Sequence, residues 1–277
     1  MVSPIFIIAA SLGGAFLLGF LRDPWRAASY TVTLLILAFT TWLSANWVWA
    51  LSTGAAQPIE ILTAGTPPPF AVNLRLGISE AAMVLLINLT GLLSALYLKD
   101  TLFKQGRRAM AVLLIFSMAL GGIVMTRDLF NLFVFFELAV ISTGGLILLS
   151  RDERSLSAGF KYLVASQVIS VLMLVGIIFA YHETGSLNLD DMAAASEQLL
   201  KGGALAFFLL FITVVGELKV FPANGWALDI YESAHPAFSA LVSAAAGSAT
   251  LVAVDKLLLI GGPAWMAMTL AAASMIL

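Results

Sequence analysis

Three ionisable residues stand inside long apolar stretches: Glu137, within Phe135-Phe136-Glu137-Leu138, and Glu217 with Lys219, within Gly216-Glu217-Leu218-Lys219-Val220. A carboxylic acid and an amine held away from water are suited to proton transfer. Opposite charges favour each other's ionised form, so neutralising or moving one partner changes the proton affinity of the other. An ionisable group at a bilayer centre costs about 2.5–3.5 kcal/mol on insertion scales and persists where it faces a bundle interior or a hydrated cavity. Glu137 falls about nine residues, roughly 13.5 Å, into the apolar stretch that begins at Asp128, close to mid-membrane. In a regular helix, residues two apart point about 200° away from each other, so Glu217 and Lys219 meet only if the helix is distorted. Pro222 supplies a cause of distortion, because it lacks an amide proton and its ring clashes with the carbonyl of Leu218. Such a broken helix is tolerated where the freed backbone lines a buried or hydrated cavity.

A second group of residues could feed protons to the first. The segment from Asn224 to Pro236 carries Asp229, Glu232 and His235 between two apolar stretches, and Lys161 starts another. Asp229, His235 and Lys161 are therefore candidates for proton uptake. Each reading has a plainer alternative. Glu137 also suits a protonated structural hydrogen-bonding group, and Glu217 with Lys219 a static pair. His235, directly before Pro236, is equally suited to capping a helix, and Lys161 to snorkelling its amine to the interface. Arg127 and Asp128 read as interfacial.

Composition removes most other chemistry. The chain is 61% hydrophobic and 11% charged, where a soluble domain has about 45–50% and about 25%. It is a membrane protein. With no cysteine and only two histidines, His182 and His235, it offers no thiolate metal site, iron–sulfur cluster, disulfide or catalytic thiol. No cofactor is expected in this chain, so redox chemistry belongs to a partner subunit. A net charge of −2, without blocks of like charge, excludes nucleic acid and anionic membrane surfaces as electrostatic partners. The small residues from Ser243 to Ala249 suit close helix packing. The Gly121-Gly122 and Gly144-Gly145 pairs lie inside apolar stretches with no preceding strand, so neither opens a phosphate loop.

The elements that must position these residues are membrane helices. Stretches long enough to cross about 30 Å of hydrocarbon run approximately over 3–20, 27–50, 77–98, 109–126, 128–150, 157–181, 203–222, 233–254 and 262 to the end, about nine spans in all. The chain is expected to be an all-α polytopic membrane protein forming a single transmembrane domain over 1–277, with the seventh helix broken. The first span lacks a basic leader and reads as retained rather than cleaved. Nine of the fourteen Lys and Arg residues (Arg22, Arg26, Lys99, Lys104, Arg107, Arg108, Arg151, Arg154 and Lys161) fall on one side; Arg75, Arg127, Lys201 and Lys256 fall on the other. Cytoplasmic loops accumulate such residues, which predicts an N-terminus facing outward, in a prokaryotic plasma membrane. Two outward connections, about 51–76 and about 182–202, are long enough for structure of their own, the second as a short amphipathic helix on the outer surface using Met192, Leu199 and Leu200. The last span stops at Leu277 without a polar tail and reads as cut off.

Several of these segments together resemble a known family. DLFNLFVFFEL from Asp128 to Leu138, KYLV from Lys161, TGSLNL from Thr184, then Phe221-Pro222, Trp226, Asp229, Tyr231, Glu232 and SALVS from Ser239 are similar to the antiporter-like membrane subunits of respiratory complex I. Related subunits occur in Mrp-type cation/proton antiporters and membrane-bound hydrogenases. The likeness covers approximately residues 70 to 260. It implies a fold of two inverted repeats, each with a broken helix and a central ionisable residue. This chain would hold the first repeat, about 105–260, and lack most of the second. Glu137 matches the intramembrane glutamate of the family's fifth span. The seventh-span lysine, four residues before Phe-Pro, is replaced by Glu217, with Lys219 two residues later. An eighth-span lysine falls at Ser248 by an ungapped count from Ser239, while Lys256 lies nearer the membrane edge.

The resemblance implies a proton-translocating subunit of a complex I-like or hydrogenase-linked assembly, in contact with other membrane subunits and the lipid bilayer. Protons would enter near Lys161, Asp229 or His235 and reach Glu217 and Lys219, with Glu137 tuning their charge. One alternative is an Mrp-type subunit exchanging Na+ for protons. Another is a degenerate scaffold that only bridges its neighbours.

Overall fold

The computed structural model describes residues 1–21, 25–63, 65, 66, 68, 71–150, 153–196, 203–219 and 225–260. Its helices are α1 (Ile5–Phe20), α2 (Arg26–Ser52), α3 (Ile78–Tyr97), α4 (Lys99–Gln105), α5 (Arg107–Met125), α6 (Leu129–Ile147), α7 (Glu153–Thr184), α8 (Leu189–Ala194), α9 (Ala204–Leu218), α10 (Gly225–Ser233) and α11 (Pro236–Leu259). Eight of them correspond to the first eight expected spans. Six, namely α2, α3, α5, α6, α7 and α11, are long and apolar enough to cross a membrane; α1 and α9 are shorter apolar helices. The ninth expected span lies outside the described residues.

The helix α5 forms the axis of the bundle. It is buried along nearly its whole length and packs against α1, α2, α3, α6 and α11, as expected of a helix that is apolar all round. By contrast, α7 has one buried stripe, including Ser155, Tyr162, Ser166, Ser170 and Met173, and an outer face of exposed Val164, Val168 and Val171. Glycines set the closest helix approaches. A Cβ at Gly122 would lie 2.3 Å from the ring of Phe135, and one at Gly144 would lie 2.5 Å from Leu163, so both glycines serve helix packing.

The two long connections, expected to face outward, do have structure. In the first, β1 (Ile59–Leu62) pairs antiparallel with β2 (Asn73–Leu76), Ile59 opposite Leu76. In the second, α8 is short and amphipathic: Leu189 and Met192 are buried against the protein, while Asp190, Asp191 and Ala194 are exposed. Leu199 and Leu200, expected on the same helix, lie outside the described residues. Asn188 explains the inward placement. Its Oδ1 accepts from the amides of Asp190 and Asp191, capping α8, while its Nδ2 donates to Oδ1 of Asn73 at 2.8 Å. The amides of Arg127 and Leu189 complete the join, donating to the carbonyls of Asn73 and Arg127.

At the opposite end, Arg107 donates to the carbonyls of Gly19 and Leu21, and Arg26 to that of Phe103. These bonds close the ends of α1 and α4 with the side chains of neighbouring helices. Helix termini leave such carbonyls without intrahelical partners.

Candidate functional site

The seventh helix ends early. Helical geometry in α9 stops at Leu218, and Lys219 adopts the left-handed conformation, φ 63° and ψ 32°, the only non-glycine to do so among the described residues. Pro222 itself lies outside those residues, but its position in sequence gives the reason, since a proline excludes the helical carbonyl four residues earlier. The left-handed turn brings the Lys219 side chain back along its own backbone, so that Nζ donates to the carbonyl of Glu217 at 3.2 Å. The Glu217 carboxylate and the Lys219 ammonium lie within electrostatic reach of each other. Both residues are over nine-tenths buried. The expected distortion therefore takes the form of a helix end.

A small cavity adjoins this pair. About 20 Å³ in volume, it is lined by Glu217, Lys219, Thr143, Tyr162 and Thr250, with Leu120, Phe136, Val242 and Ala246 among its apolar walls. A space of about 10–15 Å³ is enough for one water molecule given two to four polar partners. Five elements meet here: α6, α7, the end of α9 and α11 each contribute a polar side chain, and α5 contributes Leu120 and Ile123. The contribution of α11 depends on an irregularity, as Leu241–Ala246 is π-helical and the regular helix resumes at Gly247. Single π turns shift the register of everything beyond them and recur at functional sites. Within the small-residue stretch Ala245, Ala246 and Ala249 are buried, while Ser243 and Ala244 are exposed.

Glu137 lies one layer away, on α6. Nε2 of Gln167 donates to its Oε2 at 3.2 Å, while its Oε1 is buried and has no hydrogen-bond partner among the described residues. It is close enough to interact electrostatically with Glu217 and Tyr162. Ser166, fully buried one turn after Tyr162, stands beside both Tyr162 and Glu217. The helix α7 thus presents Tyr162 within electrostatic reach of both carboxyl groups, Ser166 beside Glu217 and Gln167 on Glu137.

Lys161 and Asp229 pair with each other at 2.8 Å, joining the start of α7 to α10. They border an open pocket of about 200 Å³ with Arg154, Ser157 and Glu232. Both side chains are substantially exposed, Lys161 at 60% and Asp229 at 43%. His235 takes its capping role: Nδ1 accepts from the amide of Ala237 at 3.3 Å at the start of α11, and its ring packs against Tyr97 and Phe238. Nδ1 acting as acceptor leaves Nε2 carrying the proton in the neutral ring.

Three features escaped the sequence reading. Arg127, between two spans, is buried and makes a bidentate pair with Asp190, a partner the sequence did not indicate. Asp128 caps α6, accepting from the amide of Asn131 at 2.7 Å; burial raises its carboxyl above the ordinary range and the amides of Asn131 and Phe130 pull it back. Lys256, placed by sequence toward the membrane edge, is 3% exposed. The Asp128-x-x-Asn131 spacing carries the cap in sequence, but nothing local to Arg127 or Lys256 signals their partners.

Residues 126–277 match the family described as NADH:quinone oxidoreductase/Mrp antiporter, TM. NADH-quinone oxidoreductase subunit N of Desulforudis audaxviator is 30% identical over 184 residues, covering 63% of this chain and 36% of that protein. A Na(+)/H(+) antiporter subunit of Alkalihalophilus pseudofirmus is 30% identical over 177 residues, covering 62% and 36%. The chain therefore spans little more than a third of the length of these relatives. Among solved structures, a chain of the membrane-bound sulfane sulfur reductase, an archaeal respiratory membrane complex, superposes with a TM-score of 0.87 at 25% identity, over 96% of this chain and 56% of that one. A chain of the Mrp complex from Dietzia sp. DQ12-45-1b shares the fold, with a TM-score of 0.82 at 23% identity over 92% of this chain and 48% of that one.

Proposed function

Because this chain belongs to the NADH:quinone oxidoreductase/Mrp antiporter transmembrane family, we propose that it is a proton-translocating subunit of a complex I-like or hydrogenase-linked respiratory assembly. The observation that carries this reading is the buried acid–base pair, Glu217 and Lys219, at a helix end beside a cavity that accommodates one water. A water there can exchange a proton with either member of the pair. Moving a proton onto Glu217 removes the charge that favours the Lys219 ammonium, and the reverse transfer restores it. Glu137 biases the pair as a further negative charge, with Tyr162 within electrostatic reach of both carboxyl groups and Ser166 beside Glu217.

Uptake runs from the Lys161–Asp229 pocket, where acidic and basic side chains meet water. With the N-terminus outside a prokaryotic plasma membrane, this pocket faces the cytoplasm and α8 faces outward. His235 serves as the helix cap in this scheme. No step requires a cofactor in this chain; electrons would move in partner subunits, and the remaining membrane subunits would supply the rest of the proton path.

An Mrp-type subunit exchanging Na+ for protons is the second reading, favoured by the equal identity to the Na(+)/H(+) antiporter relative. Native mass spectrometry of the gently solubilised assembly, followed by reconstitution into vesicles, separates the two. Partners carrying flavin or iron–sulfur clusters, with acidification of the lumen on adding an electron donor, are expected. Lumen pH changes driven by a Na+ gradient, without redox partners, would establish the antiporter instead. Transport unaffected by Glu137→Gln and Lys219→Met in an intact assembly would leave only a scaffold.

A further inference from the structure

Lys256 makes an arrangement that the proton path does not use. Its Nζ donates to the carbonyl oxygens of Ile123 at 2.8 Å, Val124 at 2.7 Å and Thr126 at 2.7 Å. These are carbonyls that α5 leaves without intrahelical partners, because the chain turns extended at Thr126. The amide of Arg127, four residues beyond Ile123, donates to Asn73 instead, and the amide of Asp128, four beyond Val124, donates to Oγ1 of Thr126. Three oxygens at the negative end of a helix thus converge on one point, and a cation of fixed position fills it.

We propose that the carbonyls of Ile123, Val124 and Thr126 form a binding site for a monovalent cation of ammonium or potassium size, and that Lys256 occupies it as a tethered ion. Backbone carbonyl oxygens can replace the hydration shell of such a cation. The oxygen distances match an ammonium or potassium ion and exceed those suited to sodium. Burial of Lys256 excludes bulk water as the alternative partner. Arg127 adds a repelling positive charge nearby, and Glu80, Asp190 and Asp255 add attracting negative ones. The tethered ion joins α11 to α5 beyond the π-helical segment, so the site holds the register of the helix that carries Val242, Ala246 and Thr250 to the cavity.

An ordinary helix cap needs hydrogen-bond donors, whereas a cation site needs charge, and that difference makes the test. The protein is purified in detergent with its accompanying subunits as wild type, Lys256→Ala and Lys256→Gln, and melting is followed in n-propylammonium, potassium and tetramethylammonium chlorides. Lys256→Ala is expected to melt several degrees below wild type in tetramethylammonium, which has no N–H donor, and to recover at least half of that loss in propylammonium, with a smaller recovery in potassium. Wild type should not respond, and Lys256→Gln should stay low despite its amide donors. Equal melting in all three salts for Lys256→Ala, or wild-type melting of Lys256→Gln, would overturn the proposal. If Lys256→Ala does not accumulate, it is made by cell-free synthesis into liposomes with and without propylammonium: a rise in trypsin-resistant protein with the amine supports the site, and no rise overturns it.

Discussion

Replacing Lys219 by methionine removes the ammonium while keeping most of the buried stem, so its effect reads the charge rather than a cavity. Glu217 is 8% exposed and Lys219 9%, and breaking a buried ionic pair by removing one partner costs about 3–5 kcal/mol. Part of that loss can be recovered on the backbone. Lys219 holds φ 63°, a conformation costing a non-glycine residue about 1–2 kcal/mol. Lys219→Gly should therefore lie roughly 1–2 kcal/mol above Lys219→Met in stability, before the loss of the stem's packing is counted. Replacing both charges with neutral residues, as Glu217→Gln with Lys219→Met, leaves no uncompensated ion; the double variant should be more stable than the sum of the singles by roughly 2–3 kcal/mol. Thermal melting of the purified assembly measures these differences. Proton transport is read separately, by quenching of a pH-sensitive acridine dye in vesicles, and both Lys219→Met and the double variant should fail to transport with subunit composition unchanged. Additive stability losses would show that the two residues do not act as a pair, and proton transport persisting in Lys219→Met within an intact assembly would refute the mechanism.

The remaining expectations separate transport from stability. Lys161→Gln or Asp229→Asn breaks an exposed pair and should change stability by less than about 1 kcal/mol, while initial rates of dye quenching fall several-fold; unchanged rates would remove the pair from the uptake path. Gly144→Val, whose Cβ meets Leu163 at 2.5 Å, should cost about 1–3 kcal/mol by overpacking, measured by melting and by retention of the assembly on a native gel. Asp128→Ala should lose about 1 kcal/mol with the α6 cap, whereas Asp128→Asn keeps a capping oxygen and removes a carboxylate that burial disfavours, so it should melt at or above wild type.

Helices were legible in the sequence because membrane crossing imposes a length and an apolar composition that nothing else imitates. Six helices, α2, α3, α5, α6, α7 and α11, meet both conditions, α1 and α9 are apolar but shorter, and Pro222 alone was the sequence signal for the early end of α9. Side-chain partners were harder to read. Glu137 and Gln167 are thirty residues apart and Lys161 and Asp229 sixty-eight, and no local periodicity encodes such pairings. What the apolar face of α8 packs against was not legible for a related reason: Leu189 and Met192 form an amphipathic pattern that suits a membrane surface or a protein interior equally, and the Asn73–Asn188 bond chooses between them. The π-helical turn at Leu241–Ala246 had no sequence signal beyond small residues, which permit close packing without specifying the register.

Two buried lysines show why burial alone does not identify a proton carrier. Lys256 gives its three N–H groups to three backbone carbonyls, and a carbonyl cannot take up a proton to release the ammonium. Discharging Lys256 would remove one N–H and leave one of those three oxygens at the end of α5 without its donor, at about 1–3 kcal/mol for a buried group. Lys219 has a neighbour that titrates. When Glu217 gains a proton, the charge favouring the Lys219 ammonium disappears, the neutral amine can keep the bond from Nζ to the Glu217 carbonyl, and the adjoining cavity accommodates a water to receive what is released. The sequence places Lys219 inside a span and Lys256 toward a membrane edge, and the structure buries both; in the proposed mechanism the chemistry of their partners makes one a fixture of the fold and the other able to cycle.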